Sequence, residues 1–213
     1  MIYLDSADEA DVRVAADLGL ISGITTNPTL MAACGDSAVR QLERLLDCFP
    51  GPIFYQVHAL DLDGAFAEAN RARSLDPDRV VLKLPAVREH FRLAARLSRE
   101  GIRFAVTAVY APAQALLAAQ AGAEWIIPYV DRARRLQEGG EELTSLLSRA
   151  LTAPDGRRLP TRIMAASLKT PAQAVGALAD GADAVTLPLT VIEAMITDPL
   201  TERAVAEFSA VAR

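Results

Sequence analysis

A lysine set among aliphatic residues is the feature of this chain most able to do chemistry. Lys83 interrupts the run Val80-Val81-Leu82-Lys83-Leu84-Pro85, which is apolar enough to be buried on both faces of a sheet. With the two-residue period of a strand, Val81 and Lys83 share one face, and Leu82 and Leu84 take the other. An inward lysine loses solvation, which favours the neutral amine and lowers its pKa. In water, with a pKa near 10.4, only about one lysine in a few thousand is neutral at pH 7. A nucleophilic, Schiff-base-forming lysine needs that fraction raised. The competing reading is a lysine that snorkels out at a strand end or pairs with a carboxylate.

Further polar residues close other apolar runs: Asp5, then Thr25-Thr26-Asn27, Gln56 with His58, Thr107, Tyr129 with Arg132, Ser167 with Lys169, and Thr186. Asp5 can orient substrate hydroxyls or exchange protons. It can equally cap the helix expected to start near Ala7, a task open also to Ser6 and Asp8. Thr25-Thr26-Asn27-Pro28 reads as a turn or N-cap cluster. Tyr129 is either a packing residue with a satisfied hydroxyl or a proton-exchanging group. Arg132, Ser167 and Lys169 could form an anion site, whereas Arg134 and Arg135 read as solvated surface. His58 is expected at a strand end within reach of a pocket rim, and His90 on a helix among Arg88, Glu89 and Arg92. With two histidines and no Cys or carboxylate cluster at ligand spacing, no metal site is expected. The chemistry should be organic, carried by side chains and needing no cofactor.

These residues need a scaffold that gathers strand ends. Strand-like segments fall at 2–5, 22–26, 53–58, 79–84, 103–107, 124–128, 162–166 and 183–187. Helical periodicity covers 7–18, 38–48, 62–75, 88–99, 111–121, 141–151, 171–179 and 190–195. Gly19, Gly101, Gly122 and Gly181 follow helical runs where a C-terminal cap favours positive φ. The longest polar connections are 131–140 and 152–160, neither long enough for an interdomain linker. Repeated strand–helix alternation predicts a parallel sheet with helices outside. Eight units of about 27 residues favour a single (β/α)₈ TIM barrel over 1–213 rather than an open doubly wound sheet, with chemistry at the C-terminal strand ends. Segment 199–213 reads as an additional C-terminal helix whose apolar Val205, Phe208 and Val211 must pack on something, a neighbouring subunit being one candidate.

The 213 residues are 51% apolar and 23% charged, which excludes a disordered chain. A net charge of −5 argues against a nucleic-acid or anionic-membrane surface. No apolar stretch reaches the roughly eighteen residues of a membrane span, and neither a span nor a secretory leader is expected. The two cysteines, Cys34 and Cys48, cannot make a disulfide framework. A cytoplasmic setting follows as the expectation. The common nucleotide-binding glycine motifs are absent.

Five segments occur in order: Gly23-Ile24-Thr25-Thr26-Asn27-Pro28-Thr29, Val81-Leu82-Lys83-Leu84-Pro85, Thr107-Ala108-Val109-Tyr110, Pro128-Tyr129-Val130-Asp131-Arg132 and Ala165-Ala166-Ser167-Leu168-Lys169-Thr170-Pro171. Together they resemble the transaldolase family, and within it the short branch of fructose-6-phosphate aldolases and small transaldolases. The resemblance implies the barrel fold independently of the strand count. It implies that Lys83 forms the Schiff base and that Asp5 and Asn27, beside Thr26, hold the hydroxyls of a dihydroxyacetone-like donor. Gln56, Thr107 and Tyr129 match the group that positions a water and exchanges protons, and Arg132 and Ser167, with Lys169 beside them, match phosphate-binding positions. Transaldolases typically carry Glu at the position of Gln56 and often Phe at that of Tyr129. This pair therefore points to a fructose-6-phosphate aldolase-like cleavage releasing dihydroxyacetone and an aldehyde such as glyceraldehyde 3-phosphate. The alternatives are a transaldolase moving a dihydroxyacetone unit between sugar phosphates and a sugar-phosphate-binding barrel without turnover. The family also implies a homo-oligomer, a pentamer or decamer. Two positions depart from its pattern. Asp131 stands where Gly, Asn or Ser is usual, and its carboxylate is expected to repel a phosphate or compete for Arg132. Ile127 is bulkier than usual and is expected to narrow the pocket.

Overall fold

The β-branched and aromatic runs become eight parallel strands in the computed structural model, which describes residues 1–211. They are β1 Ile2–Asp5, β2 Ile24–Thr25, β3 Ile53–Gln56, β4 Val80–Pro85, β5 Phe104–Val109, β6 Trp125–Pro128, β7 Arg162–Ala165 and β8 Ala184–Leu187. Neighbours pair in sequence order and the sheet closes through β1 and β8, with Ile2 opposite Val185 and Leu4 opposite Leu187. The helices are α1 Glu9–Asp17, α2 Pro28–Ala33, α3 Ala38–Cys48, α4 Leu62–Arg73, α5 Arg88–Arg99, α6 Pro112–Gln120, α7 Val130–Leu136, α8 Leu143–Ala150, α9 Pro171–Ala179, α10 Leu189–Ile196 and α11 Pro199–Val211. This is the (β/α)₈ barrel with a C-terminal helix. Among the described residues, no helix is long and apolar enough to cross a membrane.

The pleat divides the apolar residues into two bodies. Leu4, Ile24, Ile53, Tyr55, Leu82, Leu84, Val106 and Ile126 face outward into the main core beneath the helices. Tyr3, Phe54, Val81, Ala105, Trp125, Ile127, Met164 and Ala184 belong to a separate interior cluster. There Tyr3 meets Phe54 and Trp125 edge-on, at ring-centroid distances of 5.7 and 5.8 Å. Gly23 makes room for this layer: a Cβ there would lie 2.7 Å from the Tyr3 ring and 2.8 Å from the Pro52 carbonyl oxygen. Ile127 belongs to this sealed interior and does not line the cleft described below, so the expected narrowing does not arise.

Two helices replace segments expected to be irregular. Asn27 caps α2 by accepting from the Leu30 N–H, and Pro28 supplies the fixed φ of a first helical turn. This cuts β2 to two residues. The polar stretch 131–140 is mostly α7, which starts directly at the end of β6. α1 begins at Glu9 because Asp8 accepts from the N–H groups of Ala10 and Asp11. Asp5 therefore caps nothing. Gly101 and Gly181, at φ 67° and 100°, take the left-handed conformation expected after α5 and α9. α11 has no buried residue, and Phe208 is 72% exposed. The last two residues of the predicted 199–213 helix lie outside the described residues.

Candidate active site

Two residues above the apolar interior layer, the same strand faces turn polar. Tyr3 is followed by Asp5, Phe54 by Gln56, Val81 by Lys83, Ala105 by Thr107, Ile127 by Tyr129 and Ala184 by Thr186. The period of two carries each of them to the C-terminal mouth of the barrel. On β2 the inward position above Gly23 is Thr25. A cleft of about 610 Å³ opens there, lined among others by Asp5, Thr25, Asn27, Gln56, Lys83, Tyr129, Arg132, Ser167, Lys169 and Thr186. Thr107 lies fully buried beside the lining. Thr26 does not fit its expected place: it has the opposite parity, and its hydroxyl donates to the Phe54 carbonyl at 2.8 Å. Thr25 faces the cleft in its stead.

Lys83 is 3% exposed, and its Nζ donates to the Thr26 carbonyl. Burial lowers its pKa to about 8, while the Asp5 carboxylate pulls the other way. Asp5 forms no ion pair with it; its Oδ1 accepts from the Thr25 hydroxyl at 2.9 Å, and Thr25 and Thr186 share a 2.6 Å hydroxyl contact. The snorkelling and ion-pair readings are thus both excluded. At pH 7 a pKa of about 8 leaves roughly one amine in ten neutral, some two orders of magnitude more than in water.

Tyr129 stands across the cleft, its ring edge-on to Tyr110 at 5.9 Å and 5.1 Å from the Arg132 guanidinium. Burial raises its pKa; the neighbouring Thr107 hydroxyl and Arg132 oppose that, and Asp5 adds to it. Thr107 Oγ1 and Gln56 Oε1 are buried with no hydrogen-bond partner in the protein. Both atoms are available to hydrogen-bond a water or a substrate group in the cleft. A register shift in β5 falls between Thr107 and Val109, and Ala108 there adopts φ 54°. Ser167 adopts φ 65°, and these are the two non-glycine residues with positive φ among the described residues. Both border the mouth, where strained backbone commonly aims functional groups.

The anion candidates flank the far side. Arg132 is exposed on α7, and Ser167 and Lys169 follow β7. Asp131 does not compete for Arg132. It is buried, accepts from Arg135 Nε at 2.9 Å and from Gln173 Nε2 at 3.0 Å, and turns away from the cleft. Burial alone would raise its pKa, but these two donors hold it below the usual carboxylate range.

Sequence reading missed Glu68 altogether. From α4 it accepts from the Tyr55 hydroxyl and the N–H groups of His58 and Ala59, and it meets His58 Nδ1 at 2.6 Å. This pins the end of β3 beside Gln56. His90 is buried, its Nε2 bonded to the Ala59 carbonyl oxygen. Among the described residues, no group of three or more His, Cys, Asp or Glu is placed to hold a metal ion.

The family profile described as "Transaldolase/Fructose-6-phosphate aldolase" matches residues 2–213. Similar curated proteins include a "Probable transaldolase" of Desulfitobacterium hafniense, 37% identical over 207 residues, covering 97% of this chain and 95% of the relative. Another, from Symbiobacterium thermophilum, is 35% identical over 207 residues, covering 97% and 94%. A third, from Geotalea uraniireducens, is 34% identical over 206 residues, again covering 97% and 94%. The chain belongs to the transaldolase/fructose-6-phosphate aldolase family and is an enzyme of the aldolase/transaldolase type.

Proposed function

We propose that this family member is a Schiff-base aldolase that breaks and makes the C3–C4 bond of a ketose. On this reading it releases dihydroxyacetone and an aldehyde such as glyceraldehyde 3-phosphate. The observation that carries it is Lys83: a buried amine with no carboxylate partner, its pKa lowered to about 8, pointing into a polar cleft. Neutral Lys83 Nζ attacks the C2 carbonyl, and Tyr129, through a bound water, gives its proton to the departing hydroxyl. Water leaves, an iminium forms and Tyr129 is left as the phenolate that acts next. Asp5 and Asn27 hold the donor hydroxyls. Tyr129, through a water held by Gln56 and Thr107, takes the C4-hydroxyl proton as the C3–C4 bond breaks. The bonding pair passes into the iminium and forms an enamine, so no free carbanion appears on C3. The aldehyde leaves. Protonation at C3 and hydrolysis then release dihydroxyacetone and restore the amine. Arg132, Ser167 and Lys169 receive the phosphate of the substrate's far end.

Borohydride reduction in the presence of dihydroxyacetone or fructose 6-phosphate tests the covalent step. The expected result is a stable mass adduct that is lost in Lys83→Ala. No adduct with any ketose would overturn the proposal. The second reading, a transaldolase, is favoured by the names of the relatives; Gln56 and Tyr129 favour the aldolase. Cleavage of fructose 6-phosphate without an added aldose phosphate supports the aldolase. Turnover only with that acceptor supports the transaldolase.

The same proposal extends to assembly in a cytoplasmic setting. The exposed Leu200, Val205 and Phe208 of α11 support docking of this helix on another copy in a pentamer or decamer. Deleting 199–213 should reduce the particle mass measured by light scattering; an unchanged mass refutes this role.

A further inference from the structure

We propose that Asp131 and Gln173 form a clamp that sets the gap between Arg132 and the Ser167–Lys169 loop, making the enzyme selective for phosphorylated over unphosphorylated aldehydes. The inference rests on the anion-binding role given above to Arg132, Ser167 and Lys169.

The clamp is a chain of hydrogen bonds linking two helices and a loop. Gln173, on α9, uses both ends of its amide: Nε2 donates to Asp131 Oδ1 at 3.0 Å, and Oε1 accepts from the Lys169 N–H at 2.6 Å. The other oxygen of Asp131 is held by Arg135 Nε at 2.9 Å, one turn further along α7. Asp131 and Arg132 are adjacent, so their side chains leave the helix about 100° apart. Fixing Asp131 outward against α9 therefore fixes Arg132 towards the cleft. The same Gln173 amide holds the backbone beside Lys169, two residues beyond the strained Ser167.

Packing leaves the side of α7 that faces α9 open. A groove of about 340 Å³ separates α7 from α9, lined by Val130, Arg134, Gly176 and Ala177 beside Asp131 and Gln173. One backbone bond, Val130 N–H to the Ala166 carbonyl at 2.9 Å, ties the start of α7 to β7. It anchors the start of the helix, buried Ala133 packs closely against Gly140 on another side, and the clamp closes the side that faces α9. The carboxylate that seemed set against phosphate binding is instead the group that aims the arginine. Asp131 and Gln173 touch no substrate in this arrangement and are positioning residues.

The test uses the full-length protein with dihydroxyacetone as donor and either glyceraldehyde 3-phosphate or glyceraldehyde as acceptor. Gln173→Glu sets two carboxylates against each other while keeping an acceptor for the Lys169 N–H. It should lower the ratio of kcat/KM for the phosphorylated over the unphosphorylated acceptor about ten-fold, through KM, with kcat little changed. Adding Asp131→Asn restores a donor–acceptor pair across the gap and should return the ratio to near the parent value. If Gln173→Glu does not fold, Gln173→Met, which removes both hydrogen bonds without adding charge, tests the fall in the ratio by itself, without the rescue arm. An unchanged ratio, an equal loss for both acceptors, or no recovery in the double variant overturns the clamp. A parent enzyme with no preference for the phosphorylated acceptor overturns instead the anion-binding role on which the clamp depends.

Discussion

The lower interior of the barrel and its mouth are built from the same strands, two residues apart, and they behave as different media. Below, Tyr3, Phe54, Val81, Ala105 and Ile127 close against one another, and Gly23 gives up its side chain so that the Tyr3 ring can lie there. Above, Asp5, Gln56, Lys83, Thr107 and Tyr129 surround a cleft, with buried acceptors left unpaired. The lower layer supplies rigidity and low polarity. The upper layer borrows both: Lys83 rests on Val81 with one protein hydrogen bond, and its amine loses its charge at a pH where a solvated lysine would keep it. The reactivity of Lys83 thus comes from its floor as much as from its neighbours.

The comparison breaks most completely at the amine. Lys83→Met should abolish cleavage, with a loss of about 10⁴-fold or more in kcat, measured by coupled assay. The same substitution should stabilise the fold. A lysine with a pKa of about 8 in the folded state and 10.5 in the unfolded state binds fewer protons when folded. It therefore costs stability in full below pH 8, and the cost fades as pH rises from about 8 to 10.5. The gain from Lys83→Met should approach about 3 kcal/mol at pH 7 as an upper bound and shrink across that window, as read by urea denaturation. An equal gain at pH 7 and pH 10.5 would refute a neutral amine in this site.

Tyr129→Phe keeps the ring above Ile127 and removes only the proton carrier, so kcat should fall about 10²-fold with trapping of the Schiff base preserved. In the parent enzyme, kcat/KM should climb about ten-fold per pH unit below pH 8 and flatten above it. Asp5→Asn removes the charge that raises the pKa of Lys83, and should move that limb to lower pH in whatever activity remains. The smallest effect on chemistry should come from the floor itself. Gly23→Ala pushes a methyl into the Tyr3 ring and a backbone carbonyl, and should cost about 1–3 kcal/mol of stability with little change in kcat of the folded fraction.

Legibility in the sequence followed the range of the physics involved. β1 and the helices Ala38–Cys48, Arg88–Arg99 and Pro171–Ala179 match their expected bounds to the residue, because alternation and amphipathic period are properties of neighbours in the chain. α7 was hidden because its seven residues include four charged ones and its Asp131 finds a partner, Gln173, only on a separate helix. Thr26 was misplaced because a two-residue strand gives too little alternation to set parity, and Gly23 hides which face is inward.

By itself the sequence determined the order of strands and helices, the barrel they close into, and the one lysine with no local reason to sit among aliphatic residues. Tertiary structure alone decided that Glu68 reaches back to pin the end of β3 and that Asp131 turns away from Arg132 toward Gln173. Both outcomes depend on side chains meeting across separate elements. Hydrogen-bond geometry between them is fixed only when closure of the sheet sets the distances.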